Sequence, residues 1–140
     1  MMPLMSNEIA AATTDVAIER HTDDVWSALV DETGDWLGDG STIEPAVGGA
    51  VRVNDVVSGT TRDGVVRESR TGELLEFDWW PTQSPDDAST VTIELTPIET
   101  GTRVIITETA TRRLAASASA HANMQWRGAM FSAALSMARV

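Results

Sequence analysis

The stretch from Ser41 to Thr111 leaves little room for anything but an antiparallel sheet. Its apolar residues recur at every second position, and its interruptions are short and rich in turn formers. STVTIELTPI alternates cleanly, with Val91, Ile93 and Leu95 on one side and Thr90, Thr92 and Glu94 on the other. Successive side chains of a strand point to opposite faces, so this is a strand with one buried face. GELLEFDWW is a second strong strand, and RVIITETAT follows the turn ETGT. Upstream, STIEPAV runs into Gly48-Gly49, a hairpin signal, and then into AVRVND. TTRDGVVRESR is expected to carry a turn or bulge at Asp63-Gly64, and PTQSPDDA reads as a polar loop. About six strands joined by short turns make a mostly antiparallel sheet.

Ahead of this run, TTDVAIER (13–20) alternates as a half-buried strand. HTDDVWSALV then reads as a short helix. Thr22 is the expected N-cap, and Asp23 and Asp24 lie in the first turn, where the helix dipole favours anions. Val25, Trp26, Leu29 and Val30 form its apolar face. Gly34 is expected to end it, with DWLG adding a further turn.

The segment 115–140 has a helical composition. On a helical wheel, Met124, Gly128, Phe131, Leu135 and Ala138 cluster beside Trp126, Met130, Ala133 and Met137. Gln125, Ser132, Ser136 and Arg139 leave only a narrow polar sector. An apolar arc that wide exceeds what a flat sheet can cover, so a strongly curled sheet is expected to wrap this helix. The expected fold is therefore α+β: a curved antiparallel sheet around a long C-terminal helix, with two short helices after the first strand. Residues 1–12 are expected to be a flexible leader and 13–140 a single domain.

The composition excludes several functions. There is no Cys, hence no disulfide, thiol nucleophile or thiolate metal site. The two His residues, His21 and His121, lie far apart with no ligand-like spacing, so no metal or other cofactor is expected. The net charge is −11, which repels nucleic-acid backbones and anionic membranes. No apolar run reaches the roughly 20 residues that span a bilayer. The start, MMPLMSNEIAAATTD, lacks the basic and apolar regions of a secretory signal, so a cytoplasmic location is expected.

VAIERHTDDVWSALVDETGDW resembles the opening of the START-like superfamily, also called SRPBCC or Bet v 1-like. Within it, the strand, the VWSALVD helix and the following Trp36 are similar to the branch named after the activator of the Hsp90 ATPase. GVVRESRTGELLEFDWW, STVTIEL, GTRVIITE and the Trp126 region extend the resemblance from about Asp15 to the C-terminus. The resemblance implies a helix-grip fold with an internal cavity. It implies no single activity, since members include lipid binders and polyketide cyclases, and the branch name does not carry a chaperone function with it.

Parity places Leu75, Phe77 and Trp79 on the inner face of their strand, and Leu74, Glu76, Asp78 and Trp80 on the solvated one. The expected lining of the cavity combines Trp26, Trp36, Phe77 and Trp79 with Ile93, Met124 and Phe131. Two charged residues interrupt this apolar set. Glu108 shares parity with Val104 and Ile106, and Arg127 falls inside the apolar arc of the last helix. Together they could orient a ligand's polar group; alternatively Glu108 sits at a wet rim and Arg127 only covers apolar surface.

The first expectation is a non-catalytic binder of a hydrophobic or amphipathic small molecule. The second is a cyclase- or hydratase-type enzyme on an aromatic or polyketide-like substrate, with Glu108 as acid or base. No Ser-His-Asp arrangement or GxSxG motif is present to support other hydrolytic chemistry. The third is a protein-interaction module using the acidic surface and Trp80, with a homodimer among the options.

Overall fold

The computed structural model describes residues 10–55 and 59–110. The element order is β1 (Ala10–Ile18), α1 (Thr22–Asp31), α2 (Thr33–Leu37), β2 (Thr42–Ile43), β3 (Ala50–Asp55), β4 (Thr60–Arg70), β5 (Leu74–Pro81), β6 (Ser89–Ile98) and β7 (Gly101–Ala110). The strands form one seven-stranded sheet in the order β1-β7-β6-β5-β4-β3-β2, with every neighbouring pair antiparallel. From β2 to β7 each strand pairs with the next in sequence, as short turns dictate. β7 then lies beside β1, and the two helices carry the chain from one sheet edge to the other. This arrangement is consistent with a helix-grip fold. The helix expected over 115–140, with Met124, Arg127 and Phe131, lies outside the described residues.

One face of the sheet is buried and the other is a polar ladder. Val51 and Val53, Leu75 and Phe77, Val91 and Ile93, and Val104 and Ile106 all point into the core, as their alternation predicts. On the outer face, Asp78 accepts hydrogen bonds from Thr90 and Arg67, and Glu76 accepts one from Thr92. Asp15 and Arg103 form a two-pronged ion pair between β1 and β7.

Several local expectations are corrected. β1 starts at Ala10, inside the stretch assigned to the leader, because Ala10 to Ala12 continue the ladder with Ala110 to Glu108. The N-cap of α1 is His21, whose Nδ1 accepts from the Asp23 amide at 3.3 Å. Thr22 instead meets Thr102, hydroxyl to hydroxyl, at 3.0 Å. Gly34 does not end α1; the break falls at Glu32 (φ −118°, ψ 42°), and Gly34 lies within α2. Asp63-Gly64 is neither turn nor bulge. β4 runs straight through it, and its register shifts between Val66 and Glu68.

α1 buries Val25, Trp26, Ala28 and Leu29, and α2 buries Trp36 and Leu37. The sharp bend between them leaves the Leu29 carbonyl without a helical donor. Thr33 Oγ1 and Trp36 Nε1 both donate to it at 3.1 Å, which locks the second helix against the first. At the other junction, fully buried Thr102 donates to the Arg20 carbonyl at 2.8 Å and ties the start of β7 to the approach to α1.

Candidate functional site

The buried face is apolar along most of its length and polar at one end. That end is built by β4, β5, β6 and β7. In the register, Gly64 on β4, Trp79 on β5, Ser89 on β6 and Ala110 on β7 stand in one row. Phe77, Val91 and Glu108 stand in the next. Residues of one row on one face are cross-strand neighbours, so a side chain long enough to lean across reaches the adjacent row.

Glu108 leans in this way. It is only 5 % exposed, and its Oε2 accepts from Ser89 Oγ at 2.6 Å and from Trp79 Nε1 at 3.0 Å. Trp79 Nε1 also approaches Ser89 Oγ at 2.9 Å, so the indole N–H is shared between hydroxyl and carboxylate. The Ser89 hydroxyl makes the shorter of the two contacts to Glu108. Phe77 fixes the Trp79 ring from the side, edge-to-face at 5.3 Å and 77°. Over the ring lies the guanidinium of Arg62, with Cζ 4.7 Å from the centroid. Arg62 is itself 6 % exposed.

A glycine makes this stacking geometry available. A Cβ on Gly64 would collide with the Asp78 carbonyl and come within 3.0 Å of Trp79 Cα and Cβ. Gly64 therefore lets β4 lie close against Trp79, and Arg62, two residues away on the same face, reaches over the ring.

The cluster sits away from the helices. Glu108 is six residues beyond Thr102 on β7, about 20 Å at the usual strand rise. Thr102 is the residue that anchors the approach to α1. The depression lined by Glu19, Arg20, His21 and Asp24 belongs to that opposite corner. Among the described residues no three His, Asp or Glu side chains gather as a metal site requires.

Five of the expected lining residues, Trp26, Trp36, Phe77, Trp79 and Ile93, meet in one core cluster, and Trp79 joins Glu108 to it. Phe77, Trp79 and Ile93 have no solvent-accessible surface, whereas Trp26 and Trp36 retain a little. Trp80 lies half-buried at the end of β5, opposite Asp63. The expected partnership of Glu108 with Arg127 reaches outside the described residues; Glu108 bonds Ser89 and Trp79. Arg62 and Ser89 were not among the expected site residues. Ser89 had a signal, since it shares parity with Val91 and Ile93. Arg62 has the parity of Val66 once Asp63-Gly64 is read as strand.

Solved structures share this fold. The MLL2253 protein of Mesorhizobium loti superposes with a TM-score of 0.75 at 21% identity, over 90% of this chain and 93% of that one. DynU16, from the dynemicin biosynthetic locus, gives 0.74 at 20% identity, over 91% of this chain and 46% of its own longer one. The SA2116 protein of Staphylococcus aureus gives 0.73 at 13% identity, over 92% of each chain. At these identities the likeness is one of fold. No curated protein matches the sequence. Residues 20–135 match the family model described as activator of Hsp90 ATPase homolog 1-like protein, and the chain belongs to that family, of the SRPBCC type.

Proposed function

We propose that this protein binds a hydrophobic or amphipathic small molecule against the buried face of its sheet, without catalysing a reaction. The observation that carries the proposal is the Glu108–Ser89–Trp79–Arg62 cluster, polar and buried at one end of an apolar face. Apolar walls with a few convergent polar groups are the usual make-up of a small-molecule site. The fold family commonly binds ligands, which supports the same assignment. Trp26, Trp36, Phe77, Trp79, Ile93 and Glu108 are its proposed contacts, within a single domain that includes all of β1 from Ala10.

The complete burial of Phe77, Trp79 and Ile93 adds a requirement: side chains must move aside before a ligand touches them. Binding is then slower than diffusion allows and is coupled to opening of the core. Residual access at Trp26 and Trp36 makes the helix side the proposed way in. No described helix is long and apolar enough to cross a membrane.

Native mass spectrometry of freshly purified protein tests the proposal. The expected result is a co-purifying small molecule that leaves on mild activation, with Glu108→Gln changing how much is retained. A chain that carries nothing, and that takes up no member of an apolar small-molecule panel, ends the proposal. Turnover of a bound compound that disappears in Glu108→Gln would replace binding by catalysis.

A further inference from the structure

The two edges of the sheet differ. At the β2 end the edge is blunted, as unpaired strands usually are. β2 is two residues long, the Glu44 amide donates to the Ala50 carbonyl at 3.0 Å, and Pro45 follows. Beyond β2, the Asn54 amide of β3 donates to the Ser41 hydroxyl at 3.0 Å. At the other end stands β1. It is nine residues long and pairs with β7 over its whole length without a register shift. Among the described residues no strand lies on its other side. AAATTDVAI lacks the proline, lysine or bulge that commonly protects an edge. Its one charge, Asp15, is engaged by Arg103 of β7. Backbone groups of a strand alternate in direction, so those of β1 that do not face β7 form an outward row of donors and acceptors.

The sequence of β1 suits a second copy of itself. A two-fold axis pairs all nine residues antiparallel only when it passes through Thr14, the midpoint of Ala10–Ile18. Thr14 then faces Thr14 of the second copy, Ala12 faces Val16, and Thr13 faces Asp15. Faces are preserved across the join. The buried Ala12 and Ile18 and the half-buried Thr14 and Val16 share one side, and the exposed Thr13, Asp15 and Ala17 share the other. Moving the axis by one residue either way shortens the ladder, and moving it to Asp15 sets two carboxylates directly opposite each other.

We infer that β1 is an interaction surface for a second copy of this chain, which adds antiparallel about Thr14 and joins the sheets into one of fourteen strands, seven from each copy. A single strand pair is a small interface, so the dimer is weak and exchanging. The inference does not depend on the binding function proposed above.

Sedimentation velocity of the full chain over a concentration series, with hydrogen exchange measured at both ends of the series, tests it. The expected result is a monomer–dimer equilibrium. Outward-facing β1 amides exchange quickly in dilute protein and slow as dimer forms, while those facing β7 are protected throughout. Thr13→Asp sets like charges opposite each other at two symmetric positions and should weaken the dimer about tenfold; Thr13→Arg should tighten it by a similar factor. Thr13 is exposed, so both variants are expected to fold. Thr14→Cys places the two thiols in one cross-strand pair, with about 4.5–5.5 Å between Cα atoms, within reach of a disulfide. In Ala17→Cys the two thiols lie about 20 Å apart. Mild oxidation should cross-link the first variant and not the second, and the chain has no other Cys to interfere. A monomer at every concentration, outward amides already protected in the monomer, a dimer indifferent to charge at Thr13, or equal cross-linking of the two Cys variants overturns the inference. Should Thr14→Cys not fold, the opposite effects of Thr13→Asp and Thr13→Arg decide alone.

Discussion

Gly64→Ala separates two accounts of the middle of β4. Gly64 is not among the glycines with positive φ, so alanine is conformationally acceptable there. In a turn or an open strand the change would stabilise the fold by about 0.4–1 kcal/mol, through the reduced entropy of the unfolded chain. The structure predicts the opposite sign. The new methyl would collide with the Asp78 carbonyl and approach Trp79 Cα and Cβ to 3.0 Å. These are atoms at or next to the β5 backbone, held in register by the ladders to β4 and β6, so no rotamer change clears them. Overpacking of this kind costs about 1–3 kcal/mol or more. The net expectation is a loss of about 2 kcal/mol, seen as a lower urea midpoint at an unchanged m-value. Gly34→Ala is the control. Its Cβ would make only ordinary contacts, at 3.7 and 3.8 Å, and it lies in α2, where alanine is favoured by up to about 1 kcal/mol. If Gly64→Ala proves as stable as the wild type while Gly34→Ala behaves as stated, the close approach of β4 to Trp79 is wrong. The placement of Arg62 would fall with it.

Two further outcomes follow from individual contacts. Trp36→Phe removes the indole donor to the Leu29 carbonyl but leaves Thr33 bonded there, so it should cost about 2 kcal/mol in urea unfolding; no loss would mean the α1–α2 bend is held otherwise. The hydrogen bond from Arg103 holds the exposed Asp15 carboxyl below its ordinary value of 3.8, so its stabilisation is present above that value and is lost as pH falls through the lowered one. Asp15→Asn should therefore lower the urea midpoint slightly at pH 7 and make no difference near pH 2, and a gap that widens in acid would contradict the pairing.

The parts of the fold that were legible in the sequence are those where one residue type answers to one local demand. Alternation in 89–110 fixed which side chains of β6 and β7 enter the core, and Glu108 was placed inward by parity alone. The same parity in LLEFDWW separated Trp79 from Trp80, but it failed at Leu74, which is buried at the start of β5. Failures came where one residue type serves two purposes. Asp63-Gly64 is a turn dipeptide by composition, yet Gly64 is there because a neighbouring backbone comes too close for a Cβ. Reading a turn there broke the parity that would have put Arg62 inside. Thr22 is a good N-cap by type, but its hydroxyl is used by Thr102, and His21 takes the cap. No local pattern could show that Glu108 and Trp79, 29 residues apart, share a hydrogen bond.

The buried polar cluster is hard to explain as a device for stability. Placing a guanidinium and a carboxylate out of water costs several kcal/mol each, and well-packed apolar residues of similar volume are often neutral or better in such places. The same end of the sheet already accepts apolar groups, since Val91 and Ala110 flank Ser89 and Glu108 there. Register does not need the charges either. On β5, β6 and β7 the inner residues are mostly apolar over long strands, and a one-residue slip would turn Phe77, Ile93 and Val104 away from the core. Sheet register therefore does not depend on the cluster. Its residues nevertheless meet in a constrained geometry, with Gly64 giving up a side chain so that β4 can approach Trp79. Such an arrangement agrees with the binding function proposed above. This supports placing the proposed binding site at the Arg62–Glu108 end of the sheet face.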